Sequence, residues 1–119
     1  MKIVVTAQGE TLGAPVDERF GRAAKFLVYD TKTKVSEAVD NTLSQEAAQG
    51  AGIQAAEIVS RLGGECLLTG HCGPKAFRAL TAAGIRVYNG ASGTVGEAIT
   101  AFQAGKLALA SEADVEGHW

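Results

Sequence analysis

Cys66-Leu67-Leu68-Thr69-Gly70-His71-Cys72-Gly73-Pro74-Lys75 opens as a short, almost continuously apolar run, breaks at glycine, and restarts at a proline. Cys66 to Thr69 is too short for a helix and reads as a strand covered on both faces. Pro74 suits a first helical turn, where its missing N–H is no loss, and Phe77, Leu80 and Ala83 then recur at helical spacing up to Gly84. Strand, glycine-lined loop and helix in succession form the repeating unit of α/β domains.

The same logic extends in both directions. Ile85-Arg86-Val87-Tyr88 is the next strand, and Thr94-x-x-Glu97 is a capping box ahead of the apolar stripe Val95, Ala98, Ile99 and Phe102, with Gly105 as the stop. Toward the N-terminus, Ala51, Ala55, Ile58 and Leu62 give a helical period from residue 47 onward, ended by Gly63-Gly64. Lys2 to Ala7 is a β-branched strand; Phe26 to Asp30 and Val35 to Val39 flank the polar turn Thr31-Lys32-Thr33-Lys34 as a hairpin. The predicted order is βββαβαβα.

With the first, fourth and fifth strands parallel, right-handed crossovers bring their C-terminal ends to one edge of the sheet. Gly9, Gly70 to Gly73 and Asn89 to Gly93 are expected to meet there in a crevice. Helix starts near Pro74 and Thr94 would aim unpaired N–H groups into it and favour an anion. Gly9, Gly13, Gly21, Gly70, Gly73, Gly90 and Gly93 would let backbone approach a ligand closely, although each also serves as an ordinary turn glycine.

Length and composition set outer bounds. A chain of 119 residues, 46% hydrophobic and 20% charged, is sized for one α/β domain over residues 1–110, with an acidic, solvated tail over 111–119. Net charge is only −2 without a basic run, so neither nucleic acid nor a membrane surface is an expected partner. No apolar run reaches the length of a span or signal peptide, and a cytoplasmic protein is expected. Two cysteines, Cys66 and Cys72, cannot make a disulfide framework or a four-ligand zinc site.

Cys72 precedes a helix start, an environment that lowers a thiol pKa and makes a metal ligand, whereas Cys66 belongs to a buried strand. His71 beside Cys72 adds an imidazole, but one thiol and one imidazole do not close a tetrahedral site. A metal held here would need inorganic ligands such as sulfide, which describes a preformed cluster better than a bare ion. Arg19, Phe20 and Arg22 sit on the loop after the first strand, where either arginine could face an anion; Lys75 opposes the dipole of its own helix, which suggests another use for its charge.

Arg19-Phe20-Gly21-Arg22-Ala23 before Phe26 to Asp30, Gly70-x-x-Gly73, and Gly93-Thr94-Val95-x-Glu97-Ala98 with Gly105-Lys106-Leu107 recur in that order over nearly the whole chain. In this the chain resembles the dinitrogenase iron-molybdenum cofactor biosynthesis family, including its NifX-like, NifB C-terminal and orange-protein branches. The resemblance implies a three-layer ribonuclease H-like α/β fold with a mixed five-stranded sheet in order 3-2-1-4-5. It also implies binding rather than turnover: carriage of a metal-sulfur cluster, in the orange-protein branch a noncovalently held molybdenum-copper sulfide, for a recipient or partner protein. Gly9, Arg19, Phe20, Arg22, Gly70, His71, Cys72, Gly73, Lys75, Asn89, Gly90, Gly93 and Thr94 are the candidate cluster-binding residues, with Cys72 and His71 as candidate metal contacts.

Two other classes stand beside this reading. His71-Cys72 followed by Arg78 matches the H-C-x5-R signature of cysteine-dependent phosphatases, in which a thiolate attacks phosphate and the arginine clamps it. Pro74 shortens that loop and Lys75 replaces its usual glycine. A cofactor-free protein-interaction module is the third reading.

Overall fold

Every residue from Ile3 to Ala7 is buried, which a strand achieves only with both faces covered and a neighbour on each side. In the computed structural model, which describes residues 1–111, that strand is β1 (Lys2–Ala7), the centre of a five-stranded sheet. β2 (Lys25–Asp30) and β3 (Ser36–Asp40) extend it antiparallel on one side; β4 (Cys66–Leu68) and β5 (Arg86–Tyr88) extend it parallel on the other. The order is β3-β2-β1-β4-β5, the expected 3-2-1-4-5 arrangement.

Alternation along the strands divides the core into two layers. Val4, Phe26, Leu67 and Val87 face α2 (Ala51–Arg61) and α3 (Pro74–Ala82), packing with Ala55, Val59, Phe77 and Leu80. Ile3, Val5, Leu27 and Leu68 face α4 (Val95–Gln103) through Val95, Ala98 and Ile99. Tyr88 and Phe102 add an edge-to-face contact at 4.9 Å on that second side. Beyond α4, Ala110 donates to the Val87 carbonyl at 2.8 Å and Leu109 bridges Tyr88, so the chain returns along the outer side of β5. The expected tail lies, past Ser111, outside the described residues. No helix among the described residues is long and apolar enough to cross a membrane.

The elements differ from the expected order by one addition. A four-residue helix, α1 (Thr42–Gln45), precedes α2, and α2 itself starts at Ala51 rather than near residue 47. β3 begins one residue later than expected because Lys34, at φ 60°, closes the hairpin turn and leaves Val35 exposed.

One glycine joins the sheet to the loop that matters below. Gly70 follows β4, and a Cβ there would stand 2.6 Å from both the Cα and the carbonyl oxygen of Glu18. The approach is fixed by backbone bonds on its two sides, His71 donating to Glu18 at 2.9 Å and Phe20 to His71 at 3.2 Å. Gly70→Ala is therefore expected to lose about 2 kcal/mol of stability, since backbone must shift to admit the methyl. A lowered urea midpoint with unchanged slope checks this; an unchanged midpoint would contradict it.

Candidate functional site

The loop after β1 is pinned before it presents anything. Asp17 is 2% exposed, and its carboxylate accepts from the backbone N–H groups of Arg19 at 3.1 Å and Ala24 at 3.2 Å, with Arg19 Nε at 3.4 Å. A carboxylate taken from water persists only with such partners. Thr6 Oγ1 donates to the Asp17 carbonyl at 2.7 Å and lies 2.9 Å from Thr69 Oγ1, tying the loop to β1 and to the end of β4. Asn41 Nδ2 donates to the carbonyls of Ala23 and Gly21, and Phe20 is buried against Phe26 with ring centroids 5.9 Å apart. Arg19-Phe20-Gly21-Arg22 is held from below on all sides.

Three elements meet where side chains are missing. A Cβ on Gly21 would lie 2.8 Å from the Gly52 nitrogen, and a Cβ on Gly52 would lie 3.0 Å from the Ala76 Cβ. The arginine loop, the first turn of α2 and the first turn of α3 are thus stacked at backbone contact. Above the stack opens a cavity of about 850 Å³, walled by Arg19 to Arg22, Gln49 to Ile53, and His71 to Ala76. That size suits a small ligand.

Its lining is one-signed. Arg19, Arg22 and Lys75 supply cationic groups and His71 an imidazole, while among the described residues no Asp or Glu lines the cavity, in a chain whose net charge is −2. The backbone adds to this. The first helical hydrogen bonds are Gln54 to Gly50 in α2 and Phe77 to Gly73 in α3. Neither helix has a side-chain cap, so among the described residues the N–H groups of Ala51, Gly52, Ile53, Lys75 and Ala76 have no protein acceptor. All five residues line the cavity. Two helix starts with their partial positive charge converge on one space.

Gly73 completes the picture by having no internal reason to be glycine. Its φ of −75° and ψ of 169° suit any residue, and a Cβ there would meet nothing within 4 Å. It leaves open space at the N-cap of α3, which an anion can occupy.

The sequence expectation placed both Pro74 and Thr94 on one crevice, and the structure separates them. α4 crosses the opposite face of the sheet, and its N-terminus is sealed by its own chain. Glu97 accepts from Thr94 N at 2.9 Å, and Thr94 Oγ1 accepts from Glu97 N at 3.1 Å. Val95 and Gly96 donate to the carbonyls of Ala14 and Leu12. The Thr94 backbone N–H, together with its hydroxyl, holds the Glu97 carboxyl below its usual range. A helix start already filled by a carboxylate offers nothing to an anion. The Gly93 carbonyl accepts from Val16 N, and Gly9 packs against Ala14; these, Asn89, Gly90 and Thr94 do not line the cavity. Gly90 N reaches the Gly70 carbonyl at 2.8 Å, which makes that loop a neighbour of the site and not part of its wall.

Cys72 is likewise corrected. Although it borders the cavity and precedes a helix, it is 2% exposed within the apolar cluster of Phe20, Ala76 and Phe77, and burial pushes its thiol from 9.0 to about 11. Desolvation outweighs the helix start. Alkylation of native Cys72 by iodoacetamide at pH 8 is expected to run at least about 100-fold slower than for a free thiol, from the thiolate fraction alone. Mass spectrometry with and without denaturant checks this; rapid native labelling would overturn the assignment. Because the folded pKa is raised, this contribution to stability is complete below pH 9 and is lost as pH rises toward 11. Cys66 is fully buried, its thiol also raised by burial, with Arg86 Nη2 at 3.6 Å.

The arrangement of the described residues gives little support to two simple chemistries. No group of three His, Cys, Asp or Glu side chains among the described residues is placed to hold a bare metal ion. The phosphatase reading loses its nucleophile to burial, and Arg78, on the second turn of α3, does not line the cavity. Sequence reasoning missed Gln49, Gly50, Ala51, Gly52 and Ile53 as site residues; their signal was the pair of glycines flanking Ala51 at the start of an apolar helical period.

Comparison with known proteins agrees with the fold. Residues 1–105 match the family model for dinitrogenase iron-molybdenum cofactor. The apo form of the orange protein from Desulfovibrio gigas is 49% identical with a TM-score of 0.90, the match covering 92% of each chain. The solution structure of a NifB candidate from Thermotoga is 36% identical with a TM-score of 0.80, covering 91% of each chain. An uncharacterized protein of Methanocaldococcus jannaschii is 28% identical over 104 residues, which is 81% of this chain and 87% of that one.

Proposed function

Because this chain belongs to the dinitrogenase iron-molybdenum cofactor family, we propose that its cavity between α2 and α3 holds a preformed anionic metal-sulfide cluster as cargo. The observation that carries this is the convergence, among the described residues, of two uncapped helix starts with five unpartnered N–H groups on a cavity lined by cations and by no carboxylate. The family gives the coarser statement: a role in metal-cluster cofactor handling.

The donor set fits such a cargo. A cluster that brings its own sulfide needs hydrogen-bond donors, positive potential and a space without side chains. Ala51, Gly52, Ile53, Lys75 and Ala76 supply the first, Arg19, Arg22 and Lys75 the second, and Gly73 the third. Soft sulfide edges accept weakly from N–H groups, so many donors acting together suit them better than one strong ligand. Molybdenum with copper is the proposed composition, on the likeness to the orange protein. The role is carriage to a recipient protein rather than turnover: Cys72, the candidate nucleophile, is buried in the apolar cluster, and burial pushes its thiol up to about 11.

Metal analysis and an absorption spectrum of anaerobically purified native protein test the reading directly. Molybdenum and copper in stoichiometric amount, with sulfide-to-metal charge-transfer bands, are expected. A colourless, metal-free preparation that also fails to bind tetrathiomolybdate with copper(I) would overturn it and leave the protein-interaction module.

A further inference from the structure

Arg22 does two things at once. It lines the cavity, and its Nη1 donates to the carbonyls of Gln45 at 3.1 Å and Ala47 at 2.9 Å. Those carbonyls belong to α1 and the strand of chain leading to Gln49 and Gly50, which form one side of the cavity mouth. Gln45, Glu46 and Ala47 otherwise donate only to local carbonyls of Asn41, Thr42 and Ser44. Among the described residues, Arg22 makes the tertiary hydrogen bonds that hold this segment down.

The two ends of the segment are built as pivots. Asn41 is anchored by its own donations to Gly21 and Ala23, and Gly50 takes φ +75°, a conformation that costs other residues more. Between them, α1 is a single turn without a side-chain cap, and Leu43 projects into solvent. Asn41 Oδ1 and Ser44 Oγ are buried beneath it without hydrogen-bond partners. A segment with one guanidinium tether and unsatisfied groups below it sits at the low-stability end of the fold.

We propose that residues 42–49 form a strap at the cavity mouth, that Arg22 is its latch, and that Arg22 therefore sets how long cargo is retained. With Nη1 spent on the strap, Nε and Nη2 are left as the guanidinium edge that takes an anion in a bidentate grip. A bound anion fixes the guanidinium, and a fixed guanidinium fixes the strap. This rests on the cluster-carrier reading for its cargo, but the latch itself is a property of the cargo-free chain.

Arg22→Lys separates charge from latch, because lysine keeps the cation and loses the planar fork. In cargo-free protein, hydrogen exchange at the amides of Gln45, Glu46 and Ala47 is expected to quicken about tenfold, with Leu62 in the last turn of α2 unchanged. Stopped-flow binding of tetrathiomolybdate with copper(I) is expected to show an unchanged association rate and about tenfold faster release. Unchanged exchange in Arg22→Lys overturns the latch, and faster exchange with unchanged release overturns its role in retention. Failure of the wild-type chain to bind the probe overturns the carrier reading, and with it the retention role, while the exchange measurement still decides the latch.

Discussion

Arg19→Glu, Arg22→Glu and Lys75→Glu together are expected to weaken binding of tetrathiomolybdate with copper(I) by at least about 1,000-fold, while Cys72→Ala binds as the wild type does. Unit charges about 4 Å apart at an effective dielectric near 20 interact by about 4 kcal/mol, and solvent screening of these partly exposed groups removes much of that. Three reversals acting on one multiply charged cargo still leave a large loss. The weakened binding should also reverse its dependence on salt, because added salt now screens repulsion between three carboxylates and the anion. Cys72→Ala removes a buried sulfur and costs stability of about 1 kcal/mol, but that sulfur is packed in the apolar cluster and only 2% exposed. Titration by absorbance, with circular dichroism to confirm folding, decides the matter. Loss of binding in Cys72→Ala with retention in the triple variant would reverse the proposal.

Gly73→Asp is expected to make the protein slightly more stable and to cut cluster binding at least about 100-fold. The backbone at Gly73 is already extended and nothing lies within 4 Å of a Cβ there, so aspartate enters without strain. As an N-cap it would accept from the N–H of Lys75 or Ala76 and complement the helix dipole, worth a few tenths of a kcal/mol over glycine. The same carboxylate would occupy the space and oppose the charge of the cargo. Gly73→Ala, which adds the carbon without the charge, should bind far better than Gly73→Asp. Thermal melts and the same absorbance titration give both readouts, and normal binding by Gly73→Asp would remove Gly73 from the site.

The sheet was legible because burial forces a pattern that survives in one sequence. Ile3 to Ala7 has no polar alternation except Thr6, and the structure puts that hydroxyl in a buried pair with Thr69. The capping box at Thr94 and Glu97 was equally plain, since both partners are local. Thr42-Leu43-Ser44-Gln45 carries one apolar residue, which is exposed, so α1 leaves no period to read.

The site was harder to read because it depends on which face of the sheet each helix takes. Topology brings the ends of β1, β4 and β5 to one edge, but α2 and α3 lie on one face and α4 on the other. Gly93 and Thr94 were therefore grouped with Gly73 by position along the chain and parted from it in space. Gly50 precedes α2 and Gly52 lies in its first turn; the place of that turn beside the arginine loop emerges only when Gly21 is stacked upon Gly52. Cys72 shows two rules in conflict, helix start against burial, and only the packing around Phe20 and Phe77 decides between them.

The stack of Gly21 on Gly52, and Gly52 on Ala76, gives the cavity an adjustable gauge. The spacing between its walls is set by hydrogen atoms where other residues carry methyl groups, so a single added carbon at position 52 would meet the Ala76 Cβ at 3.0 Å and part the two helix starts by tenths of an ångström. The cations and N–H donors would all remain. What such a change alters is the calibre of the cavity, and a chain of this design can pass from one size of cargo to another while keeping every cation and backbone donor that holds it.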